Sequence, residues 1–283
     1  MSERQVLKQQ IFTGERALYQ AIDLDINNCT FMDGESPLKE SKDITVENSM
    51  FKWRYPLWYS ANIDIRNCMF FEGVRAGFWY TQNLKISGST IDSPKNIRRC
   101  RDIELTDVSF TNGPETLWFC DDIRMKNVYA RGDYFAMNCS NIKADRLELV
   151  GKYSFDDVKN VEIHDSRLMT KDAFWNSENV TVYDSFISAE YLGWNSKNLT
   201  FINCTIESLQ GLCYVENLVM RNCRTLNTTL AFEYSTCDVE VKGHIDSIKN
   251  PKGGVIRADS IGEVIMEDNR VDTSNTIIET GKV

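Results

Sequence analysis

The chain contains few histidines and lacks the closely spaced cysteine pairs that are typical of zinc sites. Its 283 residues include only two histidines, His164 and His244, and no two of its nine cysteines form a Cys-x-x-Cys pair. Structural zinc sites take four cysteine or histidine ligands, usually with such close spacings. The sequence therefore predicts no metal site, and no cofactor is expected.

Long apolar runs are also missing from the sequence. No stretch approaches the roughly 20 apolar residues of a membrane-spanning helix, and the amino terminus is polar. We therefore expect a cytoplasmic protein without membrane contact. The formal net charge of -9 and the pI near 4.9 argue against nucleic acid or an anionic membrane as a partner. The same charge disfavours an acidic polymer such as pectate.

A unit of 19 to 21 residues repeats along the chain. Each unit alternates apolar and polar residues, as in the run from Leu199 to Ile202, and this alternation predicts a short β-strand. The first apolar residue of each unit, here called the anchor, is Leu24, Ile44, Ile63, Leu84, Ile103, Ile123, Ile142, Val161, Val180, Leu199 or Leu218. A period this short and regular is typical of a solenoid, in which each coil packs against its neighbours.

Equivalent positions of successive units form columns with distinct chemistry. The residue two after the anchor is apolar in every unit and should face inward, whereas those one and three after it are mostly polar and should face water. Four after the anchor, Asn or Asp stands in nine of the eleven units, which predicts a left-handed corner with an Asn ladder. The residue five after the anchor is usually small, and the residue seven after it is mainly Phe or Ile. These two columns predict a dry apolar core.

The position of the asparagine separates two solenoid folds. Leucine-rich repeats have a similar period, but they place their Asn one position later and contain a helical half that this unit lacks. We therefore predict an all-β fold, a single right-handed parallel β-helix, because parallel crossovers are overwhelmingly right-handed. About eleven regular coils of 19 to 21 residues are expected.

The predicted β-helix is expected to be one domain, residues 1–283. Residues 1–13 should cap the first coil, and residues 14–226 should form the regular coils. Residues 227–283 should form irregular last coils and a carboxyl-terminal cap, with Val239 and Val264 as degenerate anchors. Both caps are needed because an open end of a β-helix is an exposed sheet edge.

Seven of the nine cysteines fall in two columns. Three of them, Cys100, Cys120 and Cys139, lie three before their anchors. Four lie in the small inward column: Cys29, Cys68, Cys204 and Cys223. A disulfide between adjacent coils is geometrically possible, since coils lie about 4.8 Å apart. Buried free thiols, acting as small hydrophobes, are the prediction.

The repeat resembles that of the pectin-lyase-like right-handed β-helix proteins. The resemblance rests on the motif Asn-Ile-x-Ile-x-Asn-Cys-x-Phe, complete from Asn62 to Phe70, and covers roughly residues 14–225. Within this superfamily the chain is similar to an uncharacterised bacterial family of domains of unknown function. The resemblance implies the fold, but no reaction, because the superfamily includes lyases, hydrolases, epimerases and non-enzymes. The catalytic motifs of polygalacturonases and pectate lyases are not recognisable here, and Gly243-His244-Ile245 is too short a match.

One column contains five of the six tryptophans. They stand five before their anchors, next to an uncharged column that should point inward. Lys39, Arg98 and Asp156 share the tryptophan column, so this column should point outward. The tryptophans are Trp58, Trp79, Trp118, Trp175 and Trp194.

An outward aromatic stripe normally marks a binding surface. Sugar rings lie on aromatic faces, and charged residues such as Arg75 run beside the indoles, so these side chains are candidate binders of an oligosaccharide or polysaccharide. The stripe from Trp58 to Trp194 would span about 34 Å. Two other interpretations stay open: ladder packing that covers the sheet, and a protein or self-association surface. The sequence does not specify an oligomeric state.

Candidate catalytic residues are charged groups on the same face. Glu115 and Asp133 lie in consecutive coils, at a spacing that could suit a glycosidase, and Asp172 and Glu190 form a second such pair. Arg98 and Asp156 interrupt the tryptophan column, where a reacting group could sit. An enzyme of this kind would be a polysaccharide lyase or glycoside hydrolase. The alternative is a non-catalytic structural or protein-interaction solenoid.

Overall fold

The computed structural model describes residues 4–267 and 271–282. Its contacts divide the chain into two units, Met1–Ile142 (unit 1) and Lys143–Val283 (unit 2). The described ranges contain β-strands and a 3-10 turn at Glu72–Val74, but no α-helix. No helix in these ranges is long and apolar enough to cross a membrane. The expectation of a single domain stays a prediction.

Unit 1 is a parallel β-helix. Its strands pair anchor to anchor, for example Ile44 with Ile63 and Ile63 with Leu84, as the repeat predicts. β13 (Ser140–Gly151) contains the boundary with unit 2. The preceding strands are β1 (Gln5–Lys8), β2 (Ile11–Phe12), β3 (Ile22–Asn27), β4 (Thr30–Phe31), β5 (Lys42–Glu47), β6 (Met50–Phe51), β7 (Ala61–Arg66), β8 (Met69–Phe70), β9 (Gln82–Ser87), β10 (Thr90–Ile91), β11 (Arg101–Phe110) and β12 (Asp121–Arg131).

Unit 2 is also a parallel β-helix, with the same register. Val161 pairs with Val180, and Val180 pairs with Leu199. Register shifts occur between β22 and β23 and between β23 and β24, where the repeat loosens. The strands are β14 (Lys159–His164), β15 (Arg167–Thr170), β16 (Asp172–Ala173), β17 (Glu178–Tyr183), β18 (Phe186–Ser188), β19 (Tyr191–Leu192), β20 (Lys197–Ile202), β21 (Thr205–Glu207), β22 (Glu216–Leu226), β23 (Thr236–Lys249), β24 (Gly253–Ile265) and β25 (Thr276–Thr280).

The fold class is therefore confirmed, with more coils than the eleven anchors indicate. In unit 1, Gln5 pairs with Leu24, so residues of the expected amino-terminal cap form a strand layer of their own. In unit 2, Cys237, Gly254 and Thr276 continue the anchor column. The described residues thus form about 14 turns.

The predicted anchor at Val239 is wrong by two residues. Leu218 pairs with Cys237, which places Val239 beside Met220, two after the anchor. Both Cys237 and Val239 are buried. Because a buried cysteine serves as a small apolar residue, it fills the anchor position that we assigned to valine.

The core of each unit is built from side chains at equivalent positions of successive coils, stacked on one another. In unit 1, Phe31, Phe51 and Phe70 lie one above another, with ring centroids 4.5 and 4.7 Å apart. The rings are fully or nearly fully buried, and this parallel stacking follows from the spacing of adjacent coils. All nine cysteines are buried and none forms a disulfide, as predicted.

Asparagine ladders form the predicted corners. The residue four after the anchor has positive φ in all eleven predicted units, as at Asn203 and Asn222, and the Asn222 amide donates to Asn203 Oδ1 at 2.7 Å. A second ladder, directly before the anchors, was not predicted. There Asn217 donates to Asn198 at 2.9 Å, and Asn198 donates to Asn179 at 2.8 Å. In unit 1, Gly34 marks a further corner, because a Cβ atom there would lie 2.0 Å from Gly14 O.

Candidate functional site

The tryptophan column lies on the outside of both units. Trp79 in unit 1 and Trp175 in unit 2 are half-buried, whereas the neighbouring Phe78 and Phe174 have no exposed surface. The other tryptophans of the column are half-buried as well. The predicted orientation of the two columns is confirmed in each unit, but the indoles are less exposed than a free binding stripe would be.

In unit 1 the indoles pack against one another. The ring centroids of Trp58 and Trp79 lie 4.9 Å apart and their planes differ by 3°. Trp58 Nε1 donates to Ala76 O at 2.6 Å, and Trp79 Nε1 donates to Lys95 O at 2.9 Å. Since the ring faces cover each other and the polar edges bind backbone, neither is free for a sugar ring. This part of the column fits the interpretation that stacked tryptophans pack on one another and cover the sheet.

Arg98 takes the place of a tryptophan in the same stack. Its backbone bridges to Trp79 and Trp118, and its guanidinium carbon lies 5.2 and 4.3 Å from their ring centroids. The guanidinium also donates to the carboxylate of Glu115, which lies 3.4 Å from Lys95 Nζ. Arg98 Nε has no hydrogen-bond partner. A planar cation between two indoles continues the ladder, because guanidinium stacks on aromatic faces.

Glu115 and Asp133, the predicted carboxylate pair, lie in neighbouring coils whose backbones are hydrogen-bonded to each other. The Glu115 amide donates to Asp133 O at 2.8 Å, so the two residues do lie in consecutive coils. The carboxylate of Glu115, however, is held by Arg98 and Lys95, and both of these partners are cations. Arg75 is exposed, directly after the 3-10 turn Glu72–Val74.

The tryptophan ladder is looser in unit 2. The centroids of Trp175 and Trp194 lie 6.2 Å apart, and their planes differ by 39°. Trp175 Nε1 donates to Tyr191 O at 3.3 Å, and Tyr191 meets Trp194 edge to face. Because the two indole planes diverge, their faces do not cover each other as they do in unit 1.

Beside these indoles lies a group of polar side chains, here called the unit 2 cluster: Asp156, Lys171, Asp172, Glu190 and Tyr191. β16 and β19 pair in parallel, which places Asp172 against Tyr191. Glu190 and Tyr191 both donate their backbone N–H groups to Lys171 O, at 2.7 and 3.2 Å. The coil spacing thus brings Lys171 to Glu190, with 3.7 Å between Nζ and Oε2.

Asp172 is the buried member of the unit 2 cluster. Only 2% of its surface is exposed, and its Oδ1 atom has no hydrogen-bond partner. Burial raises the pKa of the Asp172 carboxyl; Lys171 opposes this rise and Glu190 adds to it. An unpartnered buried carboxylate oxygen carries a desolvation cost, which favours the protonated form of Asp172 in the folded protein.

The pKa values of Asp156 and Tyr191 are also shifted by neighbouring groups. Burial and the neighbouring Asp157 raise the pKa of Asp156, and Asp172 adds to this effect. Asn176 donates to Asp156 Oδ1 at 3.4 Å. The pKa of Tyr191 is raised mainly by its hydrogen bond to Glu190. Two carboxyls with raised pKa values in one cluster make it a candidate site for proton transfer.

The sequence predicts the cluster residues only in part. Asp156 is a candidate and Asp172 with Glu190 is a second carboxylate pair, but the sequence pattern does not identify Lys171 and Tyr191 as their partners. A signal was available, because Tyr153, Asp172 and Tyr191 share one column. His164, expected at the surface, stacks on Tyr183 at 4.5 Å and contacts Glu162. No group of three His, Cys, Asp or Glu side chains that could hold a metal is found within the described ranges.

Comparisons with known proteins give one family and several distant structures. The family described as "Protein of unknown function (DUF3737)" matches residues 5–279. No curated protein matches the chain. Three similar solved structures are the A-modules of the mannuronan C-5 epimerases AlgE6 and AlgE4 from Azotobacter vinelandii and the surface adhesin PfbA from Streptococcus pneumoniae.

All three structural similarities are weak. AlgE6 is 11% identical, with 94% of this chain and 91% of that chain covered and a TM-score of 0.41. AlgE4 is 10% identical, with 97% and 88% covered and a TM-score of 0.33. PfbA is 10% identical, with 88% and 69% covered and a TM-score of 0.28. Similarity at this level carries no information about activity.

Proposed function

The chain belongs to the DUF3737 family of proteins of unknown function, and we propose that it binds a carbohydrate at the unit 2 cluster. The observation that carries the proposal is the exposed pair of Lys171 and Glu190, which lies next to the indole of Trp175 because Trp175 Nε1 donates to Tyr191 O. Sugar hydroxyls both donate and accept hydrogen bonds, so they can donate to the Glu190 carboxylate and accept from the Lys171 ammonium.

The aromatic surroundings of the cluster support a sugar. Trp194 packs on Tyr214, with ring centroids 4.8 Å apart, whereas the half-buried ring of Trp175 diverges from Trp194 by 39° and is the aromatic surface beside the polar groups. Lys171 and Glu190 are exposed at their tips and can bind further hydroxyls. Apolar faces with a few convergent polar groups are typical of saccharide sites.

The proposed site is shorter than the glycan-binding stripe that the sequence predicts along the whole tryptophan column. In unit 1 the indole faces cover one another, and Arg98 is packed between two of them. Trp58, Trp79 and Trp118 therefore serve as packing residues, while Trp175 and Trp194 keep a role in binding.

Catalysis is a second candidate function, favoured by one observation. Asp156 and Asp172 both have raised pKa values, and Asp172 contributes to the rise at Asp156. A carboxyl with a raised pKa is better suited to act as a general acid, which inverting and retaining glycosidases both require. The enzyme would then be a glycoside hydrolase or a polysaccharide lyase that uses the unit 2 cluster.

The test is a glycan array on the full chain, followed by calorimetric titration of each positive glycan and product analysis. Glu190→Gln should weaken binding about tenfold, the effect of one charge-assisted hydrogen bond. Glu178→Gln is the matched control, because Glu178 forms a comparable exposed pair with Lys159, with 3.8 Å between Nζ and Oε2. If no glycan binds, or if both variants bind equally well, the chain is a structural solenoid.

A further inference from the structure

We infer that copies of this chain associate head to tail, with strand β25 of one copy pairing in parallel with strand β1 of the next. The contact uses none of the residues of the unit 2 cluster, so it does not depend on carbohydrate binding. It follows from two edge strands, one in each unit, and from the side chains that they carry.

β1 and β25 are edge strands. Within the described ranges, β1 pairs on one side with β3, β25 pairs on one side with β24, and the other side of each is unpaired. The backbone N–H and C=O groups along such a side form a template for a further strand. Because both strands lie in parallel ladders, β25 of a second copy can supply the strand that β1 lacks.

The anchor register shows how the two edges align. Gln5 and Thr276 both stand at the anchor position of their coils. A second copy that continues this register places Thr276 beside Gln5. The next three positions then form the pairs Ile277 with Val6, Ile278 with Leu7, and Glu279 with Lys8.

The first two of these pairs are apolar and incompletely buried in a single copy. Val6 and Ile277 are 49% and 55% exposed. They directly follow the anchor, where ten of the eleven predicted units have a polar residue and one has Val219. Leu7 and Ile278 are half-buried, although the residue two after the anchor is buried in all eleven units. Pairing of the two edges would cover this apolar surface, which favours association.

The third pair consists of opposite charges. Lys8 is exposed and has no ion pair within the described ranges, and Glu279 is exposed with Arg257 of the preceding coil at 2.8 Å. Opposite charges at this position of adjacent coils do pair in unit 1, where Arg66 Nη1 lies 2.9 Å from Glu47 Oε1. A second copy is therefore the occupant that the edges fit, because it matches them in strand direction, apolar positions and charge.

The contact joins two different surfaces. Each added copy leaves one β1 edge and one β25 edge unpaired, so the contact repeats and gives open chains of copies rather than a closed dimer. The size of the assembly should therefore rise steadily with protein concentration. Added salt should weaken it, because the pair of Lys8 and Glu279 is screened at the surface.

The experiment is sedimentation velocity of the full chain over a wide range of concentrations, with two single variants and their mixture. Lys8→Glu places like charges at the contact, and so does Glu279→Lys. Each substitution should weaken self-association about tenfold or more. An equimolar mixture of the two variants has opposite charges at every contact between unlike copies, so it should assemble as the parent does.

Lys126→Glu is the matched control. Lys126 is exposed and lies three after the anchor Ile123, the position that Lys8 has in its own coil, but it belongs to neither edge strand. The change in net charge is the same as in Lys8→Glu, so self-association should equal that of the parent. Melting curves of each variant show that it is folded, as expected for substitutions of exposed side chains.

The inference is overturned if the parent stays monomeric at every concentration, which would leave the two edges to a different partner. Assembly that neither Lys8→Glu nor Glu279→Lys changes would also overturn it, because another surface then joins the copies. If both variants are folded and monomeric but their mixture does not assemble, the pairing of β25 with β1 is refuted.

Discussion

In unit 1 the charged residue that interrupts the tryptophan column is Arg98, and in unit 2 the residue in the same column is Asp156. Arg98 lies between two indoles and pairs with Glu115, so its charge is compensated within the protein. Asp156 has a neutral neighbour, Asn176, and lies near a second carboxyl at Asp172. The same interruption of one column is thus a packing device in unit 1 and a polar site in unit 2.

The difference shows which observation separates packing from function. Both units have an outward aromatic column and a charged residue within it, so neither feature is diagnostic. Each unit has a buried side-chain atom without a hydrogen-bond partner, but Arg98 is ion-paired with Glu115, whereas Asp172 has no ion pair among the described residues. The angle between the indoles is also wider in unit 2. Variants at these positions should therefore respond in opposite directions.

The largest effect is expected from Arg98→Ala in unit 1. Loss of the guanidinium removes two cation–π contacts and leaves the partly buried Glu115 with a weaker partner. The free energy of unfolding should fall by about 2–3 kcal/mol. Urea denaturation followed by tryptophan fluorescence measures the loss.

Arg98→Lys and Arg99→Ala are the controls for this prediction. Lysine keeps the charge but cannot stack as a planar group, so it should recover only part of the loss. Arg99 is exposed beside Phe119, and its removal should cost under about 0.5 kcal/mol. An Arg98→Ala protein as stable as the Arg99→Ala protein would show that the ladder does not depend on its cation.

A smaller effect of opposite sign is expected from Asp172→Asn in unit 2. The folded pKa of Asp172 is raised above its ordinary value of 3.8, so the ionised form destabilises the fold. The native protein therefore loses stability as pH rises through the folded pKa. Removing the charge should raise the free energy of unfolding at pH 7 by on the order of 1 kcal/mol.

This gain should be absent at low pH. Below the unfolded pKa near 3.8, both the folded and the unfolded carboxyl are protonated, so the variant and the parent should have similar stability there. Unfolding curves at a series of pH values test the prediction. A destabilised Asp172→Asn protein at pH 7 would mean that the ionised carboxylate has a partner that stabilises it.

The smallest effect is expected from Lys171→Gln. The pair Lys171–Glu190 is exposed, so its loss should change the free energy of unfolding by no more than about 0.5 kcal/mol. The pKa of Asp172 should rise further, because Lys171 is the group that lowers it. Carboxyl titration by NMR measures this change. Lys197→Gln, which breaks the pair with Glu216, is the control and should leave the Asp172 pKa unmoved.

The repeat period predicts most of the fold because it fixes the register of parallel coils. Anchors pair with anchors, Phe51 stacks on Phe70, and Asn203 turns a left-handed corner, all as the columns indicate. The ends were harder to predict. Gln5 and Gly254 stand at anchor positions without being apolar, so a search for apolar anchors passes over them.

The candidate site was harder to predict from sequence than the fold. Alternation tells which way a side chain points, but not how far a neighbour covers it. Trp79 and Trp194 belong to one column, yet the angle that each indole makes with its neighbour is a property of packing. Asp172 appears in the sequence as one acidic residue among 41 Asp and Glu, and only its surroundings reveal that it is buried.

The asparagine ladders bear on how such a chain can change in evolution. Asn217, Asn198 and Asn179 are linked by amides that all donate in the same direction along the chain. If a whole coil were duplicated or deleted, the ladder would form again, with each asparagine amide donating to an asparagine oxygen of the neighbouring coil. A single-residue insertion in a strand would instead turn that strand's apolar side chains outward. Inherited differences in length among relatives should therefore come in steps of about one repeat, with the surface of each added coil free to acquire a different role.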